Sequence, residues 1–134
     1  MPTYFDSSVA MAALLEESRS HEARQLLDSD DQYLISWLSL VEIRRNLARA
    51  RESLANQFIR ERFLNRIEAM LVATIDEDDW RLAAEIAETT LLKSLDALHL
   101  AVASNLELQN LTFLTFDKRQ ASVARQLGFS VVGA

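Results

Sequence analysis

Pro2-Thr3-Tyr4-Phe5 reads as a short strand, Asp6 follows it at once, and Ser7 to Leu15 reads as a helix. The same order recurs near the other end of the chain. Leu111 to Phe116 is β-branched and aromatic, Asp117 comes next, and Lys118 to Leu127 has helical spacing through Ala121, Ala124 and Leu127. Further strands are predicted at Tyr33 to Ile35, Leu71 to Ile75 and Phe129 to Val132, with helical patterns between them. Strands that alternate with helices pair in parallel and carry helices on both faces. In such a sheet the carboxyl ends of the strands line one edge, and ligands bind there where strand order reverses. Asp6 and Asp117 are placed to meet at that edge.

Helix capping accounts equally well for either residue taken singly. An aspartate accepts hydrogen bonds from the free N–H groups of a first turn, and Asp117 with Gln120 spells a capping box. Two more acids widen the question. From Leu95 to Ala103 only Asp96 and His99 interrupt an apolar run, and a helix apolar almost all round is buried. Asp96 and His99 share a face, so Asp96 is satisfied by His99, by its own first-turn amides, or by a shared site with the other acids. His99 itself reads as a satisfied core residue with no catalytic role. Glu42 has two readings. Ser39-Leu40-Val41-Glu42 spells a capping box, whereas a cap at Ser36, straight after the strand at Tyr33 to Ile35, puts Glu42 well inside the helix. The strand favours Ser36.

These segments resemble the PIN-domain ribonucleases, and among them the VapC-type toxins of bacterial toxin and antitoxin pairs. The resemblance rests on Tyr4-Phe5-Asp6-Ser7-Ser8, on Ser36 to Glu42, on Leu95-Asp96-Ala97-Leu98-His99-Leu100-Ala101, and on Leu114-Thr115-Phe116-Asp117-Lys118-Arg119-Gln120. It implies a three-layer α/β/α sandwich with a five-stranded parallel sheet, and a metal-dependent endoribonuclease acting on structured RNA. It also implies that Asp6, Glu42, Asp96 and Asp117 hold Mg²⁺ or Mn²⁺, with Ser7 and Thr115 in support. A cognate antitoxin and a homodimer are implied as well. Lys93-Ser94 departs from the family by replacing a frequent glycine ahead of Asp96, which bears on how that helix begins.

Bulk properties set the surrounding limits. A chain of 134 residues, 49% hydrophobic, is the size of one domain spanning 1–134. Without cysteine it has neither a disulfide framework nor a thiolate metal site. No secretory leader pattern and no membrane-length apolar run occurs, so a soluble, cytoplasmic protein is expected. A net charge of −6 sits awkwardly with binding phosphates. Arg44, Arg45, Arg49, Arg51, Arg60, Arg62 and Arg66, however, make one span locally positive. That span reads as a solvated charged face, a phosphate contact or a groove for a partner helix. Two rival functions come from other classes. One is a non-catalytic PIN-like domain that binds protein, its acids serving as caps. The other, a phosphatase of the haloacid dehalogenase type with an aspartate nucleophile, needs a second aspartate where Ser8 stands.

Overall fold

The computed structural model describes residues 2–14, 20–27, 32–49, 58, 61, 62, 64, 65, 67 and 69–134. Five strands form one sheet: β1 Pro2–Phe5, β2 Gln32–Ser36, β3 Leu71–Ala73, β4 Thr112–Leu114 and β5 Ser130–Val132. Every neighbouring pair is parallel, in the order β3-β2-β1-β4-β5. The chain therefore builds outward from β1 to β3, returns to the centre at β4, and builds outward again. Strand order reverses between β1 and β4. The five strands fall where the sequence predicts them, with β2 longer at both ends, β3 shorter at its C-terminal end, β4 shorter at both ends and β5 shorter at its N-terminal end.

Six helices have bounds among the described residues: α1 Ser7–Leu14, α2 Ser20–Leu27, α3 Trp37–Arg49, α4 Glu77–Thr90, α5 Ser94–Asn105 and α6 Lys118–Gln126. Side chains alternate across the sheet, as a period of two requires. Phe5, Tyr33, Ile35 and Leu114 pack with Val9, Leu40, Ile43 and Leu47 on one face. Tyr4, Leu34 and Phe113 pack with Ile86, Leu98, Val102 and Val123 on the other. The result is the three-layer sandwich expected, with α1 and α3 covering one face and α4, α5 and α6 the other.

Two sequence expectations about helices meet corrections or limits. Helical spacing puts Trp80, Ala83, Ala84, Ala87 and Leu91 on one stripe and so predicts them as the core face of α4, but the buried residues of that helix are Asp79, Ala83 and Ile86. Trp80 is 56% exposed, and Leu91 leaves the helix in the left-handed region at φ 60°. The helix is rotated because Asp79 turns inward: it accepts from the Asp76 backbone N–H at 2.8 Å and from Asn105 Nδ2 at 2.7 Å. The sequence from Leu54 to Leu71 has helical periodicity through Ile59, Phe63, Ile67 and Met70, and there Ile67 is fully buried while Leu64 and Met70 pack against the same core. Ile59 and Phe63 lie outside the described residues.

Candidate active site

The C-terminal edge of β1 and β4 is built by short, specific bonds. Asp6 N–H donates to the Leu114 carbonyl at 3.2 Å, which continues the β1–β4 ladder one residue past the strand. Its carboxylate is buried, and Oδ1 accepts from the Ser8 backbone N–H at 3.2 Å and from the Ser8 hydroxyl at 2.5 Å. The hydroxyl expected of Ser7 is thus supplied by Ser8, because the first turn of α1 swings Ser8 back over Asp6. Ser7 is half-buried at the first position of that helix. Ser8 Oγ also accepts from Phe116 N–H at 3.3 Å, tying the segments after β1 and β4 together.

Across the switch point, Thr115 is fully buried and organises the segment that carries Asp117. Its hydroxyl donates to Gln120 Oε1 at 2.7 Å and accepts from Asp117 N–H at 3.1 Å. Asp117 caps α6 through Oδ1, which accepts from Gln120 N–H at 2.8 Å. Half of the predicted capping box is present. The returning half comes from Thr115, because Gln120 Oε1 accepts from the Thr115 hydroxyl instead of from Asp117 N–H, while Gln120 Nε2 donates to the Asp96 carbonyl at 3.3 Å. Gly133, at φ 104°, backs this loop, and any Cβ there would collide with the Thr115 carbonyl oxygen.

Asp96 and Glu42 reach the same edge from helices. Asp96 lies in the first turn of α5, where the free N–H groups favour a negative charge. Lys93, standing before that helix, has an ordinary φ of −59°, so the lost glycine is not needed there for its backbone conformation. Glu42 lies inside α3, which starts after Ser36. The Ser36 hydroxyl accepts from Ser39 N–H at 3.3 Å, as an N-cap does. The capping box at Ser39 is absent, and the reading with Glu42 well inside the helix holds.

Electrostatics show how near these groups are. Burial pushes the Asp6 carboxyl up to about 6; Ser8 and His99 pull it down, and the charge of Asp96 pushes it further up. The Asp96 carboxyl is also raised, by burial first and then by the charge of Asp117, with Glu42 adding in the same sense and His99 and Lys93 opposing. Asp96 is thus the acid whose charge is felt by Asp6 and which itself feels Asp117 and Glu42. Among the described residues no three His, Cys, Asp or Glu side chains are grouped so that together they could hold a metal ion. The repulsion that raises Asp6 and Asp96 is of the kind a nearby cation relieves. Oxygen donors suit a hard divalent ion that keeps several of its own waters.

Sequence reasoning missed two participants. His99 is 2% exposed, and its Nε2 lies 2.6 Å from Glu42 Oε1 while Nδ1 lies 2.8 Å from the Tyr4 hydroxyl. It is a satisfied buried histidine, as the sequence suggests, but its acidic partner is Glu42 and not Asp96. Gln120 is the second, a fully buried amide among the small residues of α6. A polar side chain on an otherwise apolar stripe is the signal both share.

The PIN domain family pattern matches residues 3–126. The chain belongs to the PIN-domain family. It is 32% identical over 130 residues to Ribonuclease VapC47 of Mycobacterium tuberculosis (strain CDC 1551 / Oshkosh), covering 94% of this chain and 92% of that protein. Among solved structures, FitAcB from Neisseria gonorrhoeae superposes with a TM-score of 0.71 at 20% identity, covering 96% of this chain and 95% of its own. Mycobacterium tuberculosis VapC20, described as a sarcin-ricin loop cleaving toxin, gives 0.68 at 20% identity over 98% of both chains. These two likenesses show that the PIN fold extends along almost the whole chain.

Proposed function

We propose that this PIN-domain protein is a divalent-metal-dependent endoribonuclease that cleaves structured RNA, and that it is the toxin of a toxin and antitoxin pair. The observation that carries the reading is the chain's similarity to a named ribonuclease over nearly its full length, supported by the charge of Asp96 acting on Asp6 and those of Asp117 and Glu42 acting on Asp96. Asp6 and Asp96 would hold Mg²⁺ or Mn²⁺, with Glu42 and Asp117 completing the pocket. Such an ion withdraws charge from a phosphodiester and makes water more acidic. Ser8 orients Asp6 through Oδ1, and Thr115 keeps Asp117 and Gln120 in register across the crevice. Both are supporting residues.

Arg44, Arg45 and Arg49 are exposed on α3, the helix that carries Glu42, and offer positive charge to an RNA backbone. Arg62 is exposed as well, whereas Arg51, Arg60 and Arg66 lie outside the described residues. Trp37 and Val41, 55% and 63% exposed one turn apart on α3, supply apolar surface to an antitoxin or to a second copy of the chain. No helix among the described residues is long and apolar enough to cross a membrane. The place of action proposed is the cytoplasm, where both partner and RNA are at hand.

The test compares cellular RNA after brief expression of the wild type and of Asp6→Asn, by mapping new 5′ ends. Cuts made only by the wild type support the reading and name the target. Equal cleavage by both proteins, in purified and contaminant-free form, overturns it.

A further inference from the structure

His99 connects two parts of the molecule that are distant in sequence. Its Nε2 is 2.6 Å from Glu42 Oε1 across 57 positions, and its Nδ1 is 2.8 Å from the Tyr4 hydroxyl across 95. An ionised carboxylate only accepts, so the short contact to Glu42 is a donation from Nε2–H. Tyr4 is fully buried on the face of the sheet that α5 covers and is stacked on Phe113 at 5.5 Å. Burial holds the phenol well above its ordinary range, so it keeps its proton. The two bonds of the His99 ring therefore tie β1, through Tyr4, and α3, through Glu42, to α5.

We propose that His99, locked in place by Tyr4, is a positioning residue that holds Glu42 by one carboxylate oxygen and presents the other to a metal ion. The inference rests on the metal-site reading above. Histidine packed among Leu98, Leu100 and Ala101 has few rotamers open to it, and the phenol removes ring rotation as a freedom. Glu42 is a long side chain on a helix surface, and without the imidazole it would sample several rotamers, losing entropy on each binding event. Groups that orient a metal's carboxylates in this way are worth about 10- to 100-fold in metal affinity.

The experiment is Mn²⁺ titration by calorimetry of the full-length wild type, His99→Phe, His99→Gln, Tyr4→Phe, Glu42→Gln and the His99→Phe/Glu42→Gln pair. The expected result is a loss of about 10- to 100-fold in His99→Phe, recovery in His99→Gln, whose amide still donates, and a several-fold loss in Tyr4→Phe. In the Glu42→Gln background, His99→Phe has no further effect. Undiminished affinity in a folded His99→Phe, or an equal loss with and without Glu42, overturns the proposal, the second because His99 then acts on the fold at large. Nitrogen NMR of the wild-type imidazole is an independent check that needs no variant. A proton on Nε2 is expected, and a bare Nε2 overturns the assignment. Wild type that takes up no Mn²⁺ defeats the metal site itself. Binding abolished by Asp6→Asn yet untouched in folded His99→Phe defeats only this inference.

Discussion

Two aspartates in this protein are buried to the same depth, Asp6 at 4% and Asp79 at 5% exposure, and they serve different ends. Asp79 has a donor on each oxygen, Asp76 N–H on Oδ2 and Asn105 on Oδ1. Its charge is fully answered within the fold, and it locks the start of α4 to the end of α5. For Asp6, both bonds from Ser8 fall on Oδ1, and Asp96 adds a second negative charge nearby. Burial outweighs these bonds and the carboxyl rises to about 6. A buried acid marks a candidate site only when the fold leaves its charge incompletely answered.

The largest effect expected from this contrast is on cleavage. Asp6→Asn is expected to lower RNA turnover by at least about 100-fold, more than the loss of an outer orienting group, while circular dichroism stays unchanged. Asp79→Asn should cleave RNA as the wild type does, molecule for folded molecule. A matching loss in Asp79→Asn would erase the distinction.

Stability should respond to pH through Asp6 in the metal-free protein. Its folded pKa, near 6, lies above the ordinary value of 3.8, so between these values the folded state binds the extra proton. Stability is then full below about pH 4 and falls by about 3 kcal/mol as pH rises to 6, with little further change above. Asp96, raised in the same direction, adds to the slope. Denaturant titrations at pH 4 and 7 check this. Asp6→Asn should flatten the profile, and a wild-type profile that rises over this window would contradict the assignment.

Metal should restore what pH removes. At neutral pH and a Mn²⁺ concentration 100 times its dissociation constant, stabilisation of about 2.7 kcal/mol is expected, read as a raised Tm. Asp6→Asn should show none. No shift in the wild type would favour the acids as caps in a protein-binding domain.

Asp79→Asn should cost about 1–3 kcal/mol in denaturant titration, because its amide meets the Asp76 N–H donor with a second donor. The smallest stability change is expected for Asp117→Asn. Asparagine caps a helix as well as aspartate does, so stability should stay within a few tenths of a kcal/mol while cleavage falls. Unchanged cleavage in Asp117→Asn would reduce Asp117 to a cap.

Much of the fold was legible because its signals are local. Strand alternation in Thr3 to Phe5 and Thr112 to Leu114, the acid after each, and the Ser36 cap all follow from the chemistry of near neighbours. The rotation of α4 was not legible, since Trp80 and Leu91 are apolar enough for a core, and the bond between Asp79 and Asn105 and the packing of Ala83 and Ile86 join residues far apart in sequence. Nor was the support of Asp6 by Ser8, which depends on how the first turn of α1 folds back.

By itself the sequence determined the alternation of strands and helices and the four acids set at strand ends and in helices, because periodicity and capping act over a few residues. Only the tertiary structure decided that β1 and β4 are neighbours, that Glu42 answers to His99, and that Thr115 replaces Gln120 in the cap. Those choices join residues dozens of positions apart, and sheet order and side-chain packing, rather than local propensity, set which of them meet.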